Sequence, residues 1–254
     1  MKVGLKSFAG LFLVLMICGN SLGSVITTNI LTRVFLIKYK ASTGTAFTVE
    51  VDNRQYLITA KHVVKGISKN DNINIFHDGR WKDLRVTTLS CGNKETDILI
   101  LVPPIQLSPA YDLIPSMGNL ILAQDVYFLG FPYMMFSDDS GINRKFPIPF
   151  IKKGICSSMG KWDGANTMIY IDGHNNPGFS GGPIVFQDLT TKKLKVGGVV
   201  SGYKNHPDPV INRGIDTGLV ALSNSGIVVG YSIKPAIEAI KKNPIGPKIK
   251  LNSN

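Results

Sequence analysis

The sequence is poor in cysteine and has no long hydrophobic run, and both shortages exclude classes of protein. Three cysteines in 254 residues cannot form a disulfide-rich scaffold. Cys18 lies near the N-terminus. Cys91 and Cys156 either pair with each other or remain buried free thiols, and the sequence leaves both alternatives open. Outside the N-terminal segment, no apolar stretch reaches the roughly 20 residues needed to cross a bilayer.

Short metal and nucleotide motifs are missing as well. The chain has no closely spaced pair of cysteines, no His-Glu-x-x-His and no glycine loop of the kind that cradles phosphate. The sequence therefore predicts neither a metal ion nor another cofactor.

Acidic residues are scarce. The chain has 17 Asp and Glu against 28 Lys and Arg, which gives a formal net charge of +11. A basic chain favours anionic surfaces and acidic polypeptides through long-range attraction. The densest basic stretch, residues 144–153, matches no base-reading or RNA-binding module. We therefore expect contact with an anionic surface but no nucleic-acid partner.

The first 23 residues have the three parts of a secretory signal. Two lysines precede an almost unbroken apolar run from Phe8 to Cys18, and Ser21-Leu22-Gly23 places small residues where a signal peptidase acts. A cleaved signal over residues 1–23 implies a secreted or periplasmic protein. The formal net charge of the mature chain is then +9, because cleavage removes two lysines and no acidic residue. An uncleaved anchor and a lipid attached to Cys18 are the alternatives.

Short β-branched and aromatic runs dominate the rest of the chain, separated by Gly, Asn and Asp as turns. Only the segment from Pro235 to Lys242 predicts a helix, because proline suits the first turn and lysines suit the negative end of the helix dipole. This pattern predicts an all-β barrel or sandwich. We predict strands at residues 34–39, 45–51, 55–59, 72–76, 97–102, 121–131, 150–156, 168–171, 183–186, 196–201 and 227–233.

The strongest local motif is Gly178-Phe-Ser180-Gly-Gly-Pro183. A serine hydroxyl is a weak nucleophile unless a base takes its proton and nearby donors hold the oxyanion that forms. Glycines let the backbone turn sharply and approach a substrate, and they leave the N–H groups of Gly178 and Ser180 to face that charge. The motif predicts Ser180 as a nucleophile beside an oxyanion hole. A glycine-rich β-turn is the structural alternative.

A base and an orienting carboxylate are found elsewhere in the chain. His62 follows an apolar strand, where an imidazole can take and return a proton near neutral pH. Asp97 opens the apolar run Asp-Ile-Leu-Ile-Leu, and a carboxylate there is costly unless it is paired. The order His62, Asp97, Ser180 therefore indicates a catalytic triad, which is recognised by its roles and geometry.

These three blocks, Ala60-Lys-His62, Thr96-Asp97-Ile-Leu-Ile-Leu and Gly178-Phe-Ser180-Gly-Gly-Pro, resemble the catalytic blocks of the trypsin/chymotrypsin clan of serine proteases. Among its branches, the chain looks most like the bacterial Deg-type (high-temperature-requirement) and small trypsin-like peptidases. Asn176-Pro177-Gly178 and Leu129-Gly130-Phe131-Pro132 support that similarity, which extends from about residue 30 to residue 242.

The resemblance implies an all-β fold of two packed six-stranded antiparallel β-barrels followed by a C-terminal helix. We expect the peptidase domain at residues 24–245 and a tail at 246–254. Within the domain, the first barrel is expected at about 30–103, the second at about 119–233 and the helix at 235–242. Deg-type chains usually continue into a peptide-binding module. About a dozen residues follow the helix here, so we expect a domain without that module.

Activation and specificity depart from trypsin. Phe179 occupies the place of an aspartate that pairs with a newly cut N-terminus in trypsin-like zymogens, so we do not expect activation by that ion pair. Counting back from Ser180 places His174 at the base of the substrate pocket, with Ser201 and Tyr203 along its wall. Trypsin needs an aspartate at that base. The histidine and the basic charge suggest a preference for acidic residues, as in bacterial glutamyl endopeptidases.

The sequence thus predicts a serine endopeptidase that acts on polypeptide substrates through an acyl-enzyme. The alternative is a protease-fold binding module that no longer cuts and that binds an anionic partner. Modules of that kind tend to lose a triad residue, whereas all three positions are filled here.

Overall fold

The computed structural model describes residues 26–92, 95–111, 113–138, 141–161 and 167–250. The predicted signal peptide lies outside these residues. Strands dominate, and two short 3₁₀ helices occupy Lys61–Val64 and Pro132–Met134. The other elements, in chain order, are α1 (Thr28–Leu31), β1 (Val34–Tyr39), β2 (Ser42–Val51), β3 (Arg54–Thr59), β4 (Asn70–His77), β5 (Arg80–Ser90), β6 (Leu99–Val102), β7 (Ile114–Pro115), β8 (Asp125–Gly130), β9 (Phe150–Lys161), β10 (Thr167–Asp172), β11 (Pro183–Gln187), β12 (Leu194–Asn212), β13 (Ile215–Ser232) and α2 (Lys234–Lys242).

The first six strands close into an antiparallel barrel in the order β1-β2-β3-β6-β5-β4. β6 is buried along its whole length, as its continuous apolar run predicts. β5 was not predicted, because charged residues interrupt its apolar positions and only Leu84 and Val86 are buried. The barrel closes between β1 and β4, where Ile37 pairs with Ile75 and Lys38 pairs with Asn74.

The remaining strands form a second sheet in the order β11-β8-β9-β10-β13-β12-β7, and an additional β11–β12 pairing closes six of them into a ring. β7 is a two-residue parallel addition to β12 that the sequence did not predict. The all-β class, the two-barrel arrangement and the C-terminal helix are confirmed.

The predicted strands at 196–201 and 227–233 are too short. β12 and β13 continue as a paired hairpin arm. It extends from the pair formed by Tyr203 and Val228 to the pair formed by Asn212 and Ile215, and most of it is exposed. The sequence predicts no strand between these two ranges, where prolines and glycines are frequent. Proline is nevertheless tolerated on an edge strand, where its missing N–H faces solvent.

The two barrels share one core. A cluster of buried side chains contains Phe47 of the first barrel together with Leu129 and Val199 of the second. Helix α2 adds Ala236 and Ile240, so its apolar face fixes the C-terminus against this core. Within the described ranges, no helix has both the length and the apolar character required to cross a membrane.

The two cysteines in the described ranges are free. Cys156 is buried in β9, and Cys91 is half-buried after β5. Burial raises the pKa of the Cys91 thiol to about 12, and it also raises the pKa of Cys156. Of the two alternatives left open by the sequence, the structure has the free thiols, which remain protonated near neutral pH.

Candidate active site

His62 and Asp97 meet because β3 and β6 are neighbours in the first barrel. Thr59 at the end of β3 pairs with Leu99 at the start of β6. His62 follows β3 in the 3₁₀ helix, and Asp97 precedes β6 by two residues. His62 Nδ1 therefore lies 2.7 Å from Asp97 Oδ2, and the main-chain N–H of His62 donates to Asp97 Oδ1 at 3.0 Å.

Asp97 accepts a third hydrogen bond, from the Ser201 hydroxyl to Oδ2 at 2.5 Å. Burial raises the pKa of Asp97, but the hydrogen bonds from His62 and Ser201 and the electrostatic interaction with His62 outweigh burial. The pKa of Asp97 therefore lies below its ordinary value. An ionised Asp97 holds the His62 proton on Nδ1 and leaves Nε2 as an acceptor. The His62 side chain is 49% exposed.

Ser180 lies on a loop that the first barrel anchors. The main-chain N–H of Thr45 donates to Ser180 O at 2.9 Å, and the Thr45 hydroxyl donates to Gly178 O at 2.7 Å. These bonds tie the serine loop to β2. The role of Thr45 was not found from the sequence, because a threonine in a strand has no distinguishing pattern.

One residue contacts both parts of the predicted triad. Ser180 Oγ donates to the main-chain oxygen of Ser201 at 3.1 Å, while the Ser201 hydroxyl bonds Asp97. Within the described residues, no hydrogen bond joins the Ser180 hydroxyl to the His62 ring. The structure therefore brings His62 and Asp97 into contact and links Ser180 to them through Ser201.

The glycines around Ser180 are required by close backbone approach. Gly178 has φ +110°, and a Cβ there would lie 2.1 Å from Phe131 O. Gly181 has φ +86°, and a Cβ there would lie 2.1 Å from Thr45 O. A side chain at either position would therefore clash with backbone. Among the described residues, the N–H groups of Gly178 and Ser180 donate to no acceptor.

The predicted pocket residues lie on two neighbouring segments. His174 is exposed on the loop after β10, whereas Ser201 and Tyr203 are half-buried in β12. Asn175 joins the two segments, because its Nδ2 donates to Gly202 O at 2.9 Å. The His174 ring forms no hydrogen bond with the residues that the structure describes.

A cavity of about 340 Å³ lies beside His62 and Asp97. Apolar and basic side chains line it, among them Val64, Ile67, Leu99, Lys61 and Lys65. It lies on the first-barrel side of the histidine, away from the segment that was predicted as the substrate pocket. In the described part of the chain, no group of three or more His, Cys, Asp or Glu is placed to hold a metal ion.

The sequence profile of the trypsin-like peptidase domain matches residues 44–191, which include His62, Asp97 and Ser180. No curated protein matches the chain by sequence.

Solved structures of low sequence identity share the fold. A serine-to-alanine variant of the HtrA-type protease AlgW, solved with a tripeptide, has a TM-score of 0.56 and 19% identity over 85% of this chain and 63% of its own. A mutant of Rv3671c from M. tuberculosis H37Rv, in its inactive form, has a TM-score of 0.54 and 18% identity over 86% of this chain and 90% of its own. This chain thus spans less than two thirds of AlgW.

Proposed function

Because this chain belongs to the family of trypsin-like peptidases, we propose that it is a serine endopeptidase with Ser180 as nucleophile, His62 as base and Asp97 as orienting carboxylate. The observation that carries the proposal is the chain of contacts from His62 through Asp97 and Ser201 to the Ser180 hydroxyl. These contacts support the proposal, because acyl transfer needs a serine, an imidazole base and a carboxylate that orients the base.

The reaction begins when the Ser180 hydroxyl leaves the Ser201 carbonyl and turns toward His62 Nε2. Catalytic hydrogen bonds in free enzymes are often long or poorly aligned, and they tighten when substrate binds. His62 takes the proton as Ser180 Oγ attacks the peptide carbonyl carbon. The N–H groups of Gly178 and Ser180 stabilise the resulting oxyanion.

His62 then returns its proton to the leaving amine, the C–N bond breaks and an ester to Ser180 remains. A water molecule gives a proton to His62 and attacks the ester. The acid product is released, and the proton on His62 restores the Ser180 hydroxyl. Throughout, the negative charge of Asp97 stabilises the imidazolium that forms.

We propose that His174, Ser201 and Tyr203 contact the substrate side chain before the scissile bond. Asn175 supports this assignment, because its hydrogen bond to Gly202 O holds the His174 loop next to β12. Export to the periplasm or the cell exterior is likewise a proposal, supported by the charge and hydropathy of residues 1–23.

Hydrolysis of an unfolded protein such as reduced, alkylated casein tests the proposal. We expect the purified mature protein to produce internal cuts and Ser180→Ala to produce none, with both proteins folded by circular dichroism. Equal cutting by the two proteins would assign the hydrolysis to another residue. No cutting by either would favour the binding-module alternative.

A further inference from the structure

One lysine of the second barrel holds the loop that leads to the predicted nucleophile. Lys152 Nζ donates to the main-chain oxygen of His174 at 2.6 Å and to Asn176 Oδ1 at 2.6 Å. Both acceptors belong to residues 173–178, which we call the approach loop because it connects β10 to Ser180. Two bonds from one ammonium therefore fix two points of this loop.

The same ammonium also reaches the residue next to the nucleophile. Lys152 Nζ lies 5.4 Å from the centroid of the Phe179 ring, within the range of a cation–π contact. Phe179 is fully buried and packs edge-to-face on Phe128, with ring centroids 5.2 Å apart. Phe128 in turn pairs with Lys152 across β8 and β9. Lys152 thus links the approach loop to β8 and β9.

Lys152 has no carboxylate partner among the described residues; its acceptors are a main-chain carbonyl and a side-chain amide. Partial burial lowers the pKa of Lys152 from its ordinary value. Burying an ammonium costs stability unless hydrogen bonds offset the loss of hydration. The two bonds that Lys152 makes to the approach loop are therefore the contacts that keep it in this position. Its neighbour Lys153 is different, because its Nζ pairs with Asp125 at 2.8 Å and its side chain is 56% exposed.

We propose that Lys152 is a positioning residue, which holds the approach loop so that the N–H groups of Gly178 and Ser180 face the substrate carbonyl. This inference rests on the proposed serine endopeptidase activity. Phe179 has no charge and cannot form an ion pair with a new N-terminus. In this chain the ammonium of Lys152 orders the approach loop instead. Lys152 acts through the loop and touches no reacting atom.

Lys152→Met tests the proposal, with Lys153→Met as the matched control on the same strand. Methionine keeps an unbranched apolar side chain but removes the charge and the donors. For Lys152→Met we expect a fall in kcat of roughly tenfold or more, since small misplacements of catalytic groups cost up to about 100-fold. KM and the melting temperature should change little. Lys152→Arg should recover part of kcat, and Lys153→Met should match the wild type.

A kcat for Lys152→Met within twofold of the wild type would overturn the proposal. A rise in KM alone would also overturn it, because that result assigns Lys152 to substrate binding.

Hydrogen–deuterium exchange of residues 175–182 provides a readout that does not need activity. The N–H groups of Phe179 and Gly181 lie in this region and donate to Asn176 O and to Val200 O of β12, so their exchange reports loop order. We expect faster exchange in Lys152→Met than in Lys153→Met, and equal exchange would contradict positioning by Lys152. If the wild type does not hydrolyse casein while exchange responds to Lys152→Met, the endopeptidase proposal fails and the anchoring of the approach loop by Lys152 stands.

Discussion

Phe179 gives the sharpest test of how the predicted nucleophile is held. Its ring is completely buried, packs on Phe128 and belongs to the core cluster of the second barrel. Phe179→Ala removes this burial, worth roughly 1.5–3 kcal/mol for a large apolar side chain, and leaves a cavity behind. Together the two effects predict a loss of about 3–5 kcal/mol in unfolding free energy. For a chain of this size, that loss lowers the melting temperature by roughly 6–20 °C.

Thermal and urea unfolding of the mature protein measure this change, with Phe136→Ala as the control. Phe136 is 37% exposed, so its truncation should cost clearly less than that of Phe179. If the unfolding free energy of Phe179→Ala lies within about 1 kcal/mol of the wild-type value, the loop before Ser180 does not depend on this core contact. A loss equal to that of Phe136→Ala would also refute the reasoning.

Two further outcomes follow from the triad and the N-terminus. Asp97→Asn keeps the shape of the side chain but removes the charge that holds the His62 proton on Nδ1. In steady-state peptide hydrolysis, kcat should therefore fall by about 10⁴-fold. A loss below tenfold would show that Asp97 does not set the tautomer. Mass spectrometry of the exported protein should find a free N-terminus near Ser24, whereas a diacylglyceryl mass on Cys18 would establish the lipid anchor and an intact Met1 the uncleaved one.

Features determined by a few consecutive residues were predictable. The apolar run after Asp97 is β6, and the glycines around Ser180 mark a loop in which Cβ atoms would clash with backbone. Such patterns record local requirements directly, namely burial on both faces and tight turns. The three separated motifs that contain His62, Asp97 and Ser180 then indicated the two-barrel fold, and the structure has this fold.

Features that depend on tertiary contacts were not predictable. Lys152 stands in an ordinary basic stretch, and the pairing of β9 with β8 and β10 brings it to the loop before Ser180. The hydroxyl of Ser201 was expected along a pocket wall, but it also donates to Asp97, 104 residues earlier in the chain. The arm of β12 and β13 was hidden by prolines and glycines that signal turns elsewhere.

The central claim is that Ser180 is an activated nucleophile. A fluorophosphonate forms a P–O bond to such a serine as fluoride leaves, and the mass gained by the intact protein reports it. The account predicts one adduct on the native wild type, located on Ser180, and none on Ser180→Ala or on the heat-unfolded wild type. A native wild type that gains no mass, or an equal adduct on Ser180→Ala, would contradict the account.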